Sequence, residues 1–256
     1  MNLFYRIFGE GKPLIVLHGL LGMSDNWIMP AKELAKTYKV ILPDLRNHGN
    51  SPHSDEFHLQ PMVNDIVELI RTFGLDEVFL LGHSLGGRIA ISVALQHPDL
   101  VEKLVVVDIA PRRYHAHKGV AAMLDVMSRV DFETMVTLAD IEEFLTNNLA
   151  DPRVKNQVMK NLKRDEDRKF GWKANLPAIV RDIEALMTPV LEETPYTKPA
   201  LFIKAGRSDF VTPEDFKLIL HHFPKAVIST FPNSDHWVHV EEPQLFLEEV
   251  NAFLAE

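Results

Sequence analysis

Short, unbroken apolar runs alternate along this chain with longer stretches in which apolar residues return every three or four positions. The runs at 3–8, 14–17, 40–42, 78–81, 104–107, 201–204 and 227–230 are rich in Val, Ile, Leu and Phe. Most are continuous rather than alternating, which is how strands buried on both faces read. Helical spacing governs 62–73, 88–97, 214–223 and 244–254. Thr212-Pro213-Glu214-Asp215 adds a helix start: a capping threonine, proline at the first helical position and acids in the first turn. Such alternation predicts an α/β fold, a mostly parallel sheet flanked by helices.

The alternation breaks between residues 113 and 197. Amphipathic helical segments at 119–130, 141–148, 153–162 and 177–187 follow one another, and no strand is predicted among them. The charged run Lys163-Arg164-Asp165-Glu166-Asp167-Arg168-Lys169 reads as a solvated loop or helix face. The expected organisation is a core of residues 1–112 and 198–256, with 113–197 inserted as a helical cap.

Composition narrows the function. The 256 residues are 46% hydrophobic and 25% charged, a balance that supports a sizeable core. A net charge of −9 argues against a nucleic-acid partner. The absence of cysteine removes disulfides, thiolate catalysis and Cys-ligated zinc, and it fits a reducing compartment. Met1-Asn2-Leu3-Phe4-Tyr5-Arg6 lacks the basic-then-apolar order of a signal peptide. No apolar run approaches the roughly 18 residues that span a bilayer. The expectation is a cytoplasmic monomer or homodimer with no membrane partner.

The most informative segment is Gly82-His83-Ser84-Leu85-Gly86-Gly87, delivered by the apolar run at 78–81 and followed at once by helical spacing. A serine at so sharp a strand-to-helix turn stands clear of the sheet, and glycines two positions either side make room for it. The helix N-terminus beside it favours developing negative charge. Ser84 is therefore the candidate acyl-transfer nucleophile.

A serine nucleophile needs a base, an acid to orient that base, and donors for the oxyanion. In open α/β sheets these gather beyond the carboxyl ends of strands. Four loops qualify. His18-Gly19-Leu20-Leu21-Gly22 follows the second run, and the amides of Leu20 and Leu85 are the expected oxyanion hole. His18 reads as a hydrogen-bonded turn residue. Of twelve histidines, His236 is best placed as the base, in a polar loop past the last strand; His239 is its nearby competitor. His221 and His222 fall on a helix. His115 and His117 form a His-x-His pair without a third ligand by spacing, so no metal is expected. For the acid, Asp209 is favoured and Asp108 is the alternative, since each follows a predicted strand. Asp44 reads as a residue that ties down its own loop. Ser84, Asp209 and His236 stand in the order nucleophile, acid, base.

On these residues the chain resembles the α/β-hydrolase superfamily over essentially its full length. Asp44-Leu45-Arg46-Asn47-His48-Gly49-Asn50-Ser51-Pro52, Gly206–Asp209 and Asp235-His236 complete the likeness. Asp108-Ile109-Ala110-Pro111 and His236-Trp237-Val238-His239 are similar to a narrower group of bacterial short-chain esterases, some regarded as acyl-CoA thioesterases, with mitochondrial relatives. Members of that group often lack an acid where Asp209 stands, which keeps Asp108 open.

The resemblance implies an α/β-hydrolase fold and a cofactor-free serine esterase acting on short-chain acyl esters or thioesters. Lactonases and carbon–carbon bond hydrolases share the scaffold, and a ligand receptor without catalysis is the alternative from another class. Met123, Leu124, Met127, Phe144, Trp172, Leu186 and Trp237 are candidates for the acyl pocket. Arg112, Arg113, Lys173 and Arg181 are candidates for an anionic substrate group.

Overall fold

A computed structural model describes residues 1–114, 118–188 and 192–256. The chain runs through β1 (Tyr5–Phe8), β2 (Lys12–Leu17), α1 (Ile28–Leu34), β3 (Tyr38–Pro43), α2 (Leu59–Thr72), β4 (Val78–His83), α3 (Leu85–Gln96) and β5 (Val101–Val107). It continues through α4 (Lys118–Ser128), α5 (Leu138–Asn148), α6 (Pro152–Lys160), β6 (Leu162–Arg164), β7 (Phe170–Trp172) and α7 (Leu176–Leu186). The last part comprises β8 (Ala200–Ala205), α8 (Phe216–His222), β9 (Ala226–Phe231), α9 (Val238–Glu241) and α10 (Pro243–Ala255).

Seven strands form one sheet in the order β1-β3-β2-β4-β5-β8-β9. Only β1 runs antiparallel, against β3; the remaining pairs are parallel. All seven predicted strands are present. The continuous apolar runs follow from burial on both faces. Leu14, Val16, Phe79, Leu81, Val105 and Val107 pack on one side with α1 and α10. Ile15, Leu17, Leu80, Leu104 and Val106 pack on the other with α2 and α3. Alternate residues of one strand thus feed two different cores.

The four helical segments expected between β5 and β8 are α4 to α7. The prediction of no strand there needs correcting: β6 and β7 pair antiparallel, Leu162 opposite Trp172 and Arg164 opposite Phe170. The charged run supplies part of β6 and the exposed turn beyond it, closed where Lys169 N–H donates to Asp165 Oδ1 at 2.8 Å. Three-residue strands are too short to display a period, which is why their pattern is silent.

The capping signal at Thr212 is met. Its N–H donates to Asp215 Oδ2 at 2.9 Å, over a short 3₁₀ turn that leads into α8. Among the described residues no helix is long and apolar enough to cross a membrane.

Candidate active site

Ser84 sits between the end of β4 and the start of α3 with φ 54° and ψ −116°, a left-handed backbone rare for any residue with a side chain. Close approach enforces the flanking glycines. A Cβ at Gly82 would lie 2.2 Å from the Gly86 carbonyl oxygen, and one at Gly86 would lie 2.3 Å from that of Leu17. Ser84 N–H donates to Val107 O at 3.1 Å, so β5 ends level with the serine. The next residue on that strand's exit is Asp108.

Asp108 is fully buried and also left-handed, φ 50°. Its Oδ1 accepts Ala205 N–H at 3.0 Å. Its Oδ2 lies 2.8 Å from Nδ1 of His236. An ionised carboxylate only accepts, so this contact places the proton on Nδ1 and leaves Nε2 as the basic nitrogen. Phe210 stacks on the imidazole, centroids 4.1 Å apart.

The preference for Asp209 as the orienting acid is therefore corrected. Asp209 is exposed, four residues beyond the end of β8, and its carbonyl accepts Arg112 Nη2 at 3.3 Å. The imidazole has a single Nδ1 proton, and Asp108 takes it. What that loop brings to His236 is the ring of Phe210.

His83, whose sequence position beside Ser84 carries no signal of its own, joins the two halves of the site. Its Nε2–H donates to the His236 main-chain oxygen at 2.8 Å, and the two rings lie 4.7 Å apart. Burial holds its pKa well below the ordinary value, so it stays neutral. The competing base, His239, is buried and stacks on Trp27 with centroids 4.0 Å apart; burial pushes its pKa down to about 3. His18 is a turn residue, as expected. Leu45 N–H donates to its Nε2 at 2.9 Å, which puts its proton on Nδ1, directed at Gly19 O. Asp44 fastens its loop through Ser24 N–H and Asn50 N–H.

The loop at 19–22 lies against the serine. A Cβ at Gly19 would be 3.3 Å from Ser84 Cβ. Leu20 and Leu85 line the same cavity as Ser84 and His236, and among the described residues neither main-chain N–H meets a protein acceptor. Leu21, with φ 55°, turns its carbonyl toward the helical block, where Gln157 Nε2 and Asn161 Nδ2 donate to it at 2.8 and 2.7 Å.

That cavity has a volume of about 460 Å³. Of the residues expected in the acyl pocket, Met123, Leu186 and Trp237 line this cavity. Met127, Phe144, Trp172 and Leu124 do not. Met127 and Leu124 are buried between helices, Trp172 packs edge-on against Phe132, and Phe144 lies beneath Arg129. Helical periodicity marks an inward face without saying whether that face meets a pocket or another helix.

None of Arg112, Arg113, Lys173 and Arg181 reaches the cavity either. Arg112 pairs with Asp215, Arg181 with Asp182, and Lys173 donates to Lys160 O. Among the described residues, the cationic side chains on the wall are Arg88, Arg153 and Lys160. His115 and His117 fall outside the described residues. Among the described residues no group of three potential metal ligands converges.

A left-handed serine at a strand-to-helix turn, an imidazole past the last strand and a carboxylate holding that imidazole define a hydrolase of the nucleophile-elbow class. The comparisons agree: the family described as alpha/beta hydrolase fold matches residues 12–243, and the chain belongs to it. It is similar to the sn-1-specific diacylglycerol lipase ABHD11 of Mus musculus, 35% identical over 94% of this chain and 80% of that one. A putative esterase/lipase of Haemophilus influenzae is 34% identical over 94% of this chain and 82% of the relative. Among solved structures, a marine microorganism esterase superposes with a TM-score of 0.95 at 37% identity, covering 98% of this chain and 99% of that chain. The protein is a carboxylic ester hydrolase.

Proposed function

We propose that the protein cleaves short-chain acyl esters, of oxygen or sulfur, through a covalent acyl-serine. Ser84 Oγ attacks the carbonyl carbon while His236 Nε2 takes its proton, and the oxyanion is received by the N–H groups of Leu20 and Leu85. The tetrahedral adduct collapses, the leaving alkoxide or thiolate takes the proton from His236, and the acyl group stays on Ser84. Water repeats the sequence and frees the acid. Asp108 keeps the imidazole in the required tautomer and stabilises its charged form.

The contact of 2.8 Å between His236 Nδ1 and Asp108 Oδ2 carries this reading. It supplies the orienting acid of a Ser-His-Asp arrangement, with the basic nitrogen left for a serine that lines the same cavity. The apolar wall of Val120, Met123, Leu186 and Met187 suits an acyl chain.

A graded series of p-nitrophenyl esters and acyl thioesters, compared between the native enzyme and Ser84→Ala, tests the proposal. Native turnover should be highest on short acyl groups, and Ser84→Ala should lose at least about 10³ in turnover with unchanged folding. A variant retaining a tenth of native turnover would refute it.

A further inference from the structure

One side chain on the cavity wall is not used by this chemistry. Arg88 follows Ser84 by one turn of α3 and is only 4% exposed. Its Nη1 reaches the Arg112 carbonyl at 3.4 Å, while Nε and Nη2 have no hydrogen-bond partner among the described residues. Those two N–H groups form the side-on edge of the guanidinium, the parallel pair that matches the two oxygens of a carboxylate.

Among the described residues no acidic side chain pairs with this cation. Its guanidinium carbon stands 5.3 Å from the centre of the Tyr114 ring, and a second cation, Arg112, lies over that ring at 3.9 Å. Asp215 is committed to Arg112 at 2.9 Å. Glu241, the acid among the cavity's lining residues, is held by Arg153 and by Asp235 N–H. Burial lowers the pKa of Arg88 to about 10, which leaves it charged at neutral pH. A buried charge is normally paired, and this one leaves Nε and Nη2 unpaired at a residue that lines the Ser84 cavity.

We infer that the Ser84 cavity contains an anion subsite at Arg88, and that the preferred substrates are esters bearing a free carboxylate, half-esters of short dicarboxylic acids. The inference rests on the ester-hydrolase reading above and names its substrate class. One helical turn separates Ser84 from Arg88, about 6 Å along the axis.

The test compares monoethyl glutarate with the ethyl ester of glutaramic acid, equal in size and uncharged. Native enzyme should favour the half-ester in kcat/KM by about 10- to 100-fold, the range of a charge-assisted hydrogen-bonded pair. In Arg88→Met the ratio should fall toward one, and Arg88→Lys should restore part of it. A native ratio of one or less overturns the subsite, whether or not the variants fold.

Calorimetry with glutarate and glutaramide needs no turnover, so it stays readable even if ester hydrolysis itself fails. Native protein binding glutarate in preference to glutaramide supports the inference. Equal heats, or none with glutarate, overturn it.

Discussion

Replacing Asp108 by asparagine is the sharpest probe of the site, because both carboxylate oxygens are committed and neither can be spared. Oδ1 accepts the fixed Ala205 N–H at 3.0 Å and Oδ2 accepts His236 Nδ1–H at 2.8 Å, at a residue with no solvent exposure. Asparagine offers one acceptor oxygen and one NH₂. Turning the oxygen to His236 would leave the buried Ala205 N–H facing another donor, at a cost of about 1–3 kcal/mol. A main-chain group cannot swing away as an imidazole can change tautomer, so the oxygen should settle on Ala205. The NH₂ then faces Nδ1, the imidazole proton moves to Nε2, and the base can no longer receive the Ser84 proton. Loss of the correct tautomer costs about 10⁴ in turnover, equivalent to roughly 5.5 kcal/mol of transition-state stabilisation. Asp209→Asn, at an exposed loop position, should stay within about threefold of native. The assay is kcat on p-nitrophenyl butyrate, with thermal melting as a check that the near-isosteric variants fold. Asp108→Asn within tenfold of native, with Asp209→Asn reduced by 10³ or more, would reverse the assignment. Equal mild losses in both would remove either aspartate from the mechanism.

Two further outcomes follow from the surroundings of the site. His18, His48 and His239 are buried neutral, with pKa values lowered by burial to about 4, about 3 and about 3. As pH falls the unfolded chain takes up these protons first, so their contribution is intact above about pH 6.5 and drains between there and pH 4 to 3, by roughly 1.4 kcal/mol per group per pH unit. Urea unfolding from pH 7 to 5 should show this loss, and His239→Phe, which keeps the stack on Trp27, should reduce the slope by about one proton; an unchanged slope would count against a buried neutral His239. Asn161→Leu removes one of two donors to the Leu21 carbonyl and also a buried Oδ1 that has no partner, so stability should barely change while kcat falls about tenfold with KM nearly constant, a fraction of the cost of losing an oxyanion donor outright. Unaltered kcat would show that the loop does not need the Asn161 donor.

What the sequence revealed, and where it stopped, follows from which interactions are local. Strand identity is local: residues 78–81 need only their own apolar run to declare themselves. The elbow is local as well, since Gly82 and Gly86 are dictated by contacts with backbone a few residues away or on the adjoining strand. The choice between Asp108 and Asp209 is not local, because it depends on the lateral order of strands, with β5 beside β4 and β8 one place further out. One usable signal was present. Asp108 follows β5 with no intervening residue, as Ser84 follows β4, whereas Asp209 lies four residues past β8. An acid immediately at a strand end is delivered at the same height as a nucleophile immediately at the end of its neighbour.

The contribution of the helical block was harder to see for a related reason. Asn161 and Gln157 look like surface residues of an amphipathic helix, and only their docking on Leu21 turns them into supports for the loop at 19–22. Arg88 carries the same lesson further. A charged residue in a helix reads as its solvent face, yet α3 is buried all round. A helix without a solvent face turns an ordinary arginine into a cation that must look for its partner in the cavity.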